Sequence, residues 1–84
     1  MDLRLQEKIL LTLYGKTEPA TITEITKMLD IFPQNIVYII DRLERRNLIT
    51  TKKEGRVRLC KLTEKGELVA KKLKELADIY EFKI

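Results

Sequence analysis

A chain of 84 residues has room for one domain with a thin core. Its hydrophobic content of 44% and charged content of 36% exclude a disordered segment. With no histidine and one cysteine, Cys60, a Cys/His zinc site and an internal disulfide are both excluded, and the net charge of +4 is modest.

Residues 2–15 are predicted to form a first helix. Leu3, Ile9, Leu10 and Leu13 recur at helical spacing and make its core stripe. Leu5, Leu11 and Tyr14 lie off that stripe, and a helix apolar on more than one face meets something on both sides. We assign that second side to a partner subunit. Gly15 ends the helix, and Glu18-Pro19-Ala20 is read as a connector.

Thr21-Ile22-Thr23-Glu24 is a capping box, which starts a second helix running to about Leu29. Its expected inner face is Ile22, Ile25, Met28 and Leu29, with Met28 as core filler. Asp30-Ile31-Phe32 is the turn. Pro33 opens a third helix, because proline lacks only an N–H that has no partner at that position. This helix runs to about Arg46. Ile36, Ile39, Ile40 and Leu43 form a clean inner stripe, and Asn47 tolerates the left-handed conformation that stops it.

Leu48–Lys53 and Arg56–Leu62 are read as two strands, with Glu54-Gly55 as the hairpin tip. Thr63 caps a fourth helix that runs to about Tyr80. Val69, Leu73, Leu76 and Tyr80 are spaced four, three and four apart, as in a coiled coil, and Leu68 and Ala77 widen the stripe. No repeat or linker interrupts the chain. The expectation is a single α+β domain over 1–84, with core and wing in 1–62 and a dimerisation helix in 63–84. Two short helices joined by a three-residue turn, then a hairpin, have the order of a winged helix-turn-helix. The predicted fold is a three-helix core with a two-stranded β-hairpin wing and a C-terminal dimerisation helix.

Charge is distributed unevenly along this plan. Residues 1–30 carry a net −1 and residues 67–84 a net 0, whereas residues 31–66 carry +5. All the excess positive charge falls on the third helix and the hairpin, as in a polyanion binder. A helix-turn-helix reads base edges from the N-terminal half of its second helix. Here that places Pro33, Gln34, Asn35, Val37 and Tyr38 at the DNA, with Asp41 and Arg42 one turn deeper. Two of the four carboxamides in the chain stand side by side at Gln34-Asn35. Their side chains suit bidentate contact with adenine. Around the tip, Lys52, Lys53, Gly55, Arg56 and Arg58 form the candidate wing site. Alternation along strands means that the four cations do not all face DNA. Arg56 is the residue assigned to the minor groove. Arg58 shares a face with Cys60 and Leu62, so it lies partly over the domain. Cys60 itself is read as a small buried filler.

Catalysis finds no support, since there is no histidine, no serine and no Gly-rich phosphate loop. We expect no catalytic residue, cofactor or metal. No apolar run approaches the ~18 residues of a membrane span. No basic segment followed by an apolar core marks a secretory signal, so a cytoplasmic protein is expected. Glu, Lys, Leu and Ile are abundant while Asn and Gln number two each, a bias found in proteins from hot environments. The competing function is a winged-helix protein-interaction module, with Phe32, Val37 and Tyr38 as an apolar patch. Single-stranded nucleic acid is disfavoured because five scattered aromatics make no stacking platform.

Three segments resemble the winged-helix transcription regulators, nearest to the MarR-like and PadR-like groups. Ile31-Phe32-Pro33-Gln34-Asn35-Ile36, followed by Leu43-Glu44-Arg45-Arg46-Asn47-Leu48-Ile49, resembles their turn, recognition helix and first wing strand. Glu54-Gly55-Arg56 resembles the wing tip, with Glu where MarR-like proteins usually carry Asp. Leu62-Thr63-Glu64-Lys65-Gly66 is similar to the segment leading out of the wing. The resemblance implies a homodimeric, sequence-specific regulator of duplex DNA. MarR-like proteins are longer and hold effectors between extra terminal helices and the wing. The chain has one helix after the wing, so a small-molecule effector is unsupported. Phe32 stands where a small N-cap residue is usual.

Overall fold

The computed structural model describes residues 4–80. Among them lie α1 (Leu5–Leu13), β1 (Ala20–Thr21), α2 (Ile22–Leu29), α3 (Pro33–Arg45), β2 (Ile49–Glu54), β3 (Val57–Leu62) and α4 (Glu64–Tyr80). The predicted core residue Leu3 lies outside the described residues, as does the side chain of Pro33.

The capping box at the head of α2 forms in both directions. Glu24 N–H donates to Thr21 Oγ1 at 3.0 Å, and Thr21 N–H donates to Glu24 Oε1 at 3.3 Å. Asp30, in the left-handed region at φ 53°, then ends α2, and Ile31 N–H turns back to the Thr26 carbonyl. Ile25 is fully buried, but Met28 is 54% exposed, so its expected place in the core is corrected. Thr26 is buried instead, its hydroxyl donating to the Thr23 carbonyl at 2.8 Å. A threonine satisfied within its own helix tolerates burial that an unpaired hydroxyl would not.

Helix α3 begins at Pro33 as expected, with Phe32 as an N-cap that makes no side-chain bond. Ile36, Ile40 and Leu43 are buried, and Ile39 packs beside them. Asn47 sits at φ 61°, and the helix closes with two bonds, Asn47 N–H to Glu44 and Leu48 N–H to Leu43. That pair of bonds is a Schellman closure, which needs a left-handed residue at the Asn47 position.

The sheet is three-stranded, in the order β1-β3-β2, not a lone hairpin. The segment expected as a connector supplies β1, with Ala20 opposite Cys60 and Thr21 opposite Leu59. The wing tip is also one residue further on than expected. Glu54 pairs with Val57, leaving Gly55 and Arg56 as a two-residue loop with Gly55 at φ 60°. A two-residue hairpin loop of this kind takes its positive φ at the first position, so Gly leads and Arg56 follows.

The core gathers Ile9, Leu10, Leu13, Ala20, Ile25, Ile36, Ile40, Leu43, Ile49, Cys60, Leu62 and Ala70. Leu11 is 7% exposed, and Leu5 and Tyr14 lie half-buried against the core. The second apolar side of α1 is therefore largely covered within the monomer, and Leu11 is withdrawn from the expected partner-facing set. The heptad stripe of α4, expected to face a partner subunit, is distinct from its inward face. Gly66, Ala70 and Ala77 are its buried residues, with Val69 and Leu73 half-buried beside the core. Small residues on that face let α4 approach closely, and the larger apolar side chains turn to its flank.

Cys60 is fully buried between Ala20 and Thr51 on the neighbouring strands. Burial pushes its thiol up from an ordinary 9.0 to about 11, with Arg58 opposing. The unfolded chain would release that proton first, so stability falls as pH rises from 9.0 towards 11. The loss is at most about 3 kcal/mol. Denaturant titrations at pH 8 and pH 10 should show Cys60→Ala losing less between the two pH values than the wild type. A parallel loss in both proteins would mean that the thiol stays solvated.

Candidate nucleic-acid interface

The helix-turn-helix consists of α2, the Asp30–Phe32 turn and α3, with the β2–β3 wing beside it. Gln34, Asn35, Val37 and Tyr38 are all exposed on the first two turns of α3. Helical spacing divides this surface into two stripes. Gln34, Val37, Asp41 and Glu44 run along one side, and Asp41 and Glu44 touch the wing there. Asn35, Tyr38, Arg42 and Arg45 run along the other. On that side half-buried Arg42 lies beside Arg4, Leu5 and Gln6 of the α1 region, its guanidinium carbon 6.0 Å from the Tyr38 ring centroid. The edge of a cation–π contact at that distance orients Tyr38 more than it stabilises it.

The wing divides by parity. Ile49 faces Leu62, Thr51 faces Cys60 and Lys53 faces Arg58, and the buried members of these pairs mark the side towards the helices. Lys53 therefore shares the α3 side. Lys52 faces Leu59 on the opposite side and lies 3.4 Å from Glu54 Oε1. It lines an open groove there with Pro19, Thr50 and Lys61. Both partners of the Lys52–Glu54 pair are well exposed, so the pair contributes little to stability. Of the expected wing cations, the structure puts Lys53 near α3 and Arg56 at the tip, and it sends Lys52 to the far face.

Arg58 is not a free cation. Its Nη2 donates to Asp41 Oδ1 at 2.6 Å and to Glu44 Oε1 at 3.3 Å, with one quarter of the side chain exposed. The hydrogen bond to Asp41 pulls its pKa up, and burial opposes this. The expected roles of Arg58 on phosphate and Asp41 on a base give way to a contact between the two. Glu44 and Thr51 were not among the expected site residues. Glu44 Oε2 accepts from the Thr51 hydroxyl at 2.7 Å and from the Thr51 N–H at 3.2 Å. The available signal was spacing: Glu44 is one turn beyond Asp41, and Thr51 has the same strand parity as Lys53.

Gln34, Asn35, Lys53 and Arg56 have neither a side-chain hydrogen bond nor an ion pair among the described residues, and all four are exposed. The three side chains on which a DNA-reading surface depends, Gln34, Asn35 and Arg56, are thus outside the core. Among the described residues no helix is long and apolar enough to cross a membrane.

Comparison with known proteins agrees with this architecture. No curated protein sequence matches the chain. Among solved structures, AF1382 from Archaeoglobus fulgidus superposes with a TM-score of 0.84 at 26% identity, over 90% of this chain and 87% of that one. A MarR family transcriptional regulator from Rhodococcus sp. RHA1 gives 0.82 at 25% identity, over 94% of this chain and 58% of its own. The MarR family transcriptional regulator SPO1453 from Silicibacter pomeroyi DSS-3 gives 0.79 at 29% identity, over 94% and 57%. This chain thus spans little more than half of those two regulators. The winged helix DNA-binding domain family matches residues 4–66, from the start of α1 to the first turn of α4. The chain belongs to the winged helix DNA-binding domain family, with the MarR-type fold of non-enzymatic transcription regulators.

Proposed function

We propose that this protein is a cytoplasmic, sequence-specific regulator of duplex DNA that acts as a homodimer on an inverted-repeat operator. The observation that carries the reading is the uncommitted polar surface. Gln34 and Asn35 at the head of α3, and Lys53 and Arg56 on the wing, are exposed and unpaired among the described residues, whereas Asp41, Glu44 and Arg58 are engaged with one another. In this reading α3 lies in the major groove, Gln34 and Asn35 read base edges, Lys53 holds phosphate and Arg56 enters the minor groove.

Dimerisation through α4 is supported by its outward flank. Leu68, Leu76, Ile79 and Tyr80 are exposed there. Leu68 and Leu76 border an apolar groove of about 410 Å³ with Val69, Lys72 and Leu73. Val69, Leu73, Leu76 and Tyr80 remain in the proposed interface, joined by Leu68 and Ile79, while α1 contributes only the exposed parts of Leu5 and Tyr14. Two recognition helices related by a twofold would then stand about 34 Å apart, one turn of DNA. Leu76→Glu should leave the fold intact and shift the sedimenting species to a monomer. An unchanged species would move the interface elsewhere.

Selection of bound sequences from a random duplex library tests function and symmetry together, because a dimer should return an inverted repeat. An asymmetric consensus would remove the twofold arrangement, and no enrichment would remove sequence-specific binding.

A second reading, a protein-docking module, draws on the exposed Met28, Phe32 and Tyr38 beside the turn. Ionic strength separates the two. Binding to DNA falls steeply between ~50 and ~200 mM salt, and docking through an apolar patch does not.

A further inference from the structure

The outer wing has almost no core to hold it. Ile49 and Cys60 are buried at its base, but residues 52–57 are all exposed. One polar cluster ties this hairpin to the recognition helix. Arg58 of β3 donates to Asp41 and Glu44, and Glu44 accepts from both the N–H and the hydroxyl of Thr51 on β2. Two carboxylates one turn apart on α3 therefore grip both strands of the wing. Thr51 N–H also belongs to the free edge of the sheet. The Glu54–Val57 pair closes the two-residue loop, so hydrogen-bonded pairing alternates back through Lys52 and Thr50 and turns Thr51 N–H outward. β2 is an edge strand, and the Glu44 carboxylate fills the place of a missing strand.

We propose that Asp41, Glu44 and Arg58 form a latch that sets the angle between the wing and the recognition helix, making them positioning residues for DNA and not DNA contacts. The proposal rests on the DNA-binding reading for its consequence, though not for its geometry. Its logic is electrostatic. A carboxylate on the surface that meets phosphate opposes binding through its own charge. Two of them on α3 are therefore costly unless they act through another group, and Arg58 is that group. With the latch closed, the distance between Gln34 in one groove and Arg56 in the next is fixed before DNA arrives, so less ordering remains for binding to supply.

The sign of the effect separates the latch from a simple charge surface. Asp41→Ala/Glu44→Ala removes two negative charges, frees Arg58 and raises helix propensity at both positions. A charge surface predicts tighter binding to every duplex. The latch predicts weaker binding to the duplex selected by the wild type, by about fivefold, because only a fraction of wings now hold the competent angle. Affinity for a scrambled duplex of equal length should rise or hold, so the cognate-to-scrambled ratio falls. The pair is partly exposed, which is why the expected factor is five and not hundreds. In the Asp41→Ala/Glu44→Ala background, Arg58→Ala should cost little further on the cognate duplex, because its partners have already gone. A direct phosphate contact by Arg58 would make the losses add.

Nitrogen-15 relaxation of the free protein reads the latch without DNA. In the double variant, amide order should fall at residues 52–57 and stay unchanged across α1. Cognate affinity that holds or rises, additive losses, or unaltered order in the wing would each overturn the latch. Failure of the wild type to select any duplex would instead overturn the DNA-binding reading, and the relaxation measurement would still decide the geometry.

Discussion

Gly66→Ala should destabilise the domain by about 3–5 kcal/mol, although the same change in most helices stabilises by about 1 kcal/mol. The reversal follows from a backbone contact. Gly66 lies in the first turn of α4, where a Cβ would overlap the Leu48 carbonyl oxygen and stand 3.2 Å from Leu62 Cδ2. That carbonyl is not free to move, because it accepts from Thr63 N–H at 3.1 Å. Thr63 is pinned in turn: its hydroxyl donates to the Asn47 carbonyl at 2.6 Å and accepts from Gly66 N–H at 2.9 Å. The end of α3, the start of β2 and the head of α4 therefore meet at one crowded joint, with the Schellman closure at Asn47 on its other side. Helix propensity favours alanine, but the overlap involves main chain, which does not relax by rotating a side chain. A domain of this length is stable by roughly 4–13 kcal/mol, so the change takes a large share of that or all of it. Urea unfolding of Gly66→Ala, with the exposed Lys71→Ala as control, measures the difference. A Gly66→Ala protein as stable as the control would show that α4 does not sit this close to Leu48.

That joint also shows what the sequence makes legible and what it hides. Thr63 is visible as a cap, Thr21–Glu24 as a capping box and Asn47 as a stop. Each is a local device in which residues within three or four positions satisfy one another. Pro33 and the Ile36, Ile39, Ile40 and Leu43 stripe are local in the same sense, and α3 starts where they place it. The reason for glycine at 66 is not local, since the Leu48 carbonyl comes from eighteen positions earlier. β1 escaped for the same reason. Two residues have no readable period, and Ala20-Thr21 becomes a strand only because β3 lies beside it. Met28 and Leu11 exchanged their expected sides because a short helix packed on several neighbours has an apolar face wider or narrower than one stripe shows. In the candidate site, residue types were legible but commitments were not. Gln34, Asn35 and Arg56 proved exposed, while Arg58 and Asp41 turned out to be engaged with each other. Charge composition cannot separate a free cation from a paired one seventeen positions away.

That separation sets the second large effect. Gln34→Ala/Asn35→Ala should weaken binding to the selected operator by about 2–5 kcal/mol and leave affinity for scrambled DNA nearly unchanged. Each carboxamide exchanged for alanine removes a base-edge contact of about 1–3 kcal/mol, and the two adjacent losses need not add in full. Arg56→Ala and Lys53→Ala should behave differently. Each removes one cation from the interface, Lys53 at a phosphate and Arg56 in the minor groove, so affinity falls on operator and scrambled DNA alike. The slope of log affinity against log salt should shrink by about one for each. Lys52→Ala should do much less, because Lys52 points to the far face of the sheet and already lies against Glu54. The three kinds of variant thus predict three patterns: lost preference with an unchanged slope, lost affinity with a reduced slope, and little change. Equal losses on both duplexes for the carboxamide variant would mean that the head of α3 holds backbone and does not read bases. A Lys52→Ala effect as large as that of Lys53→Ala would mean that the wing meets DNA with its outer face, which would turn the proposed docking over.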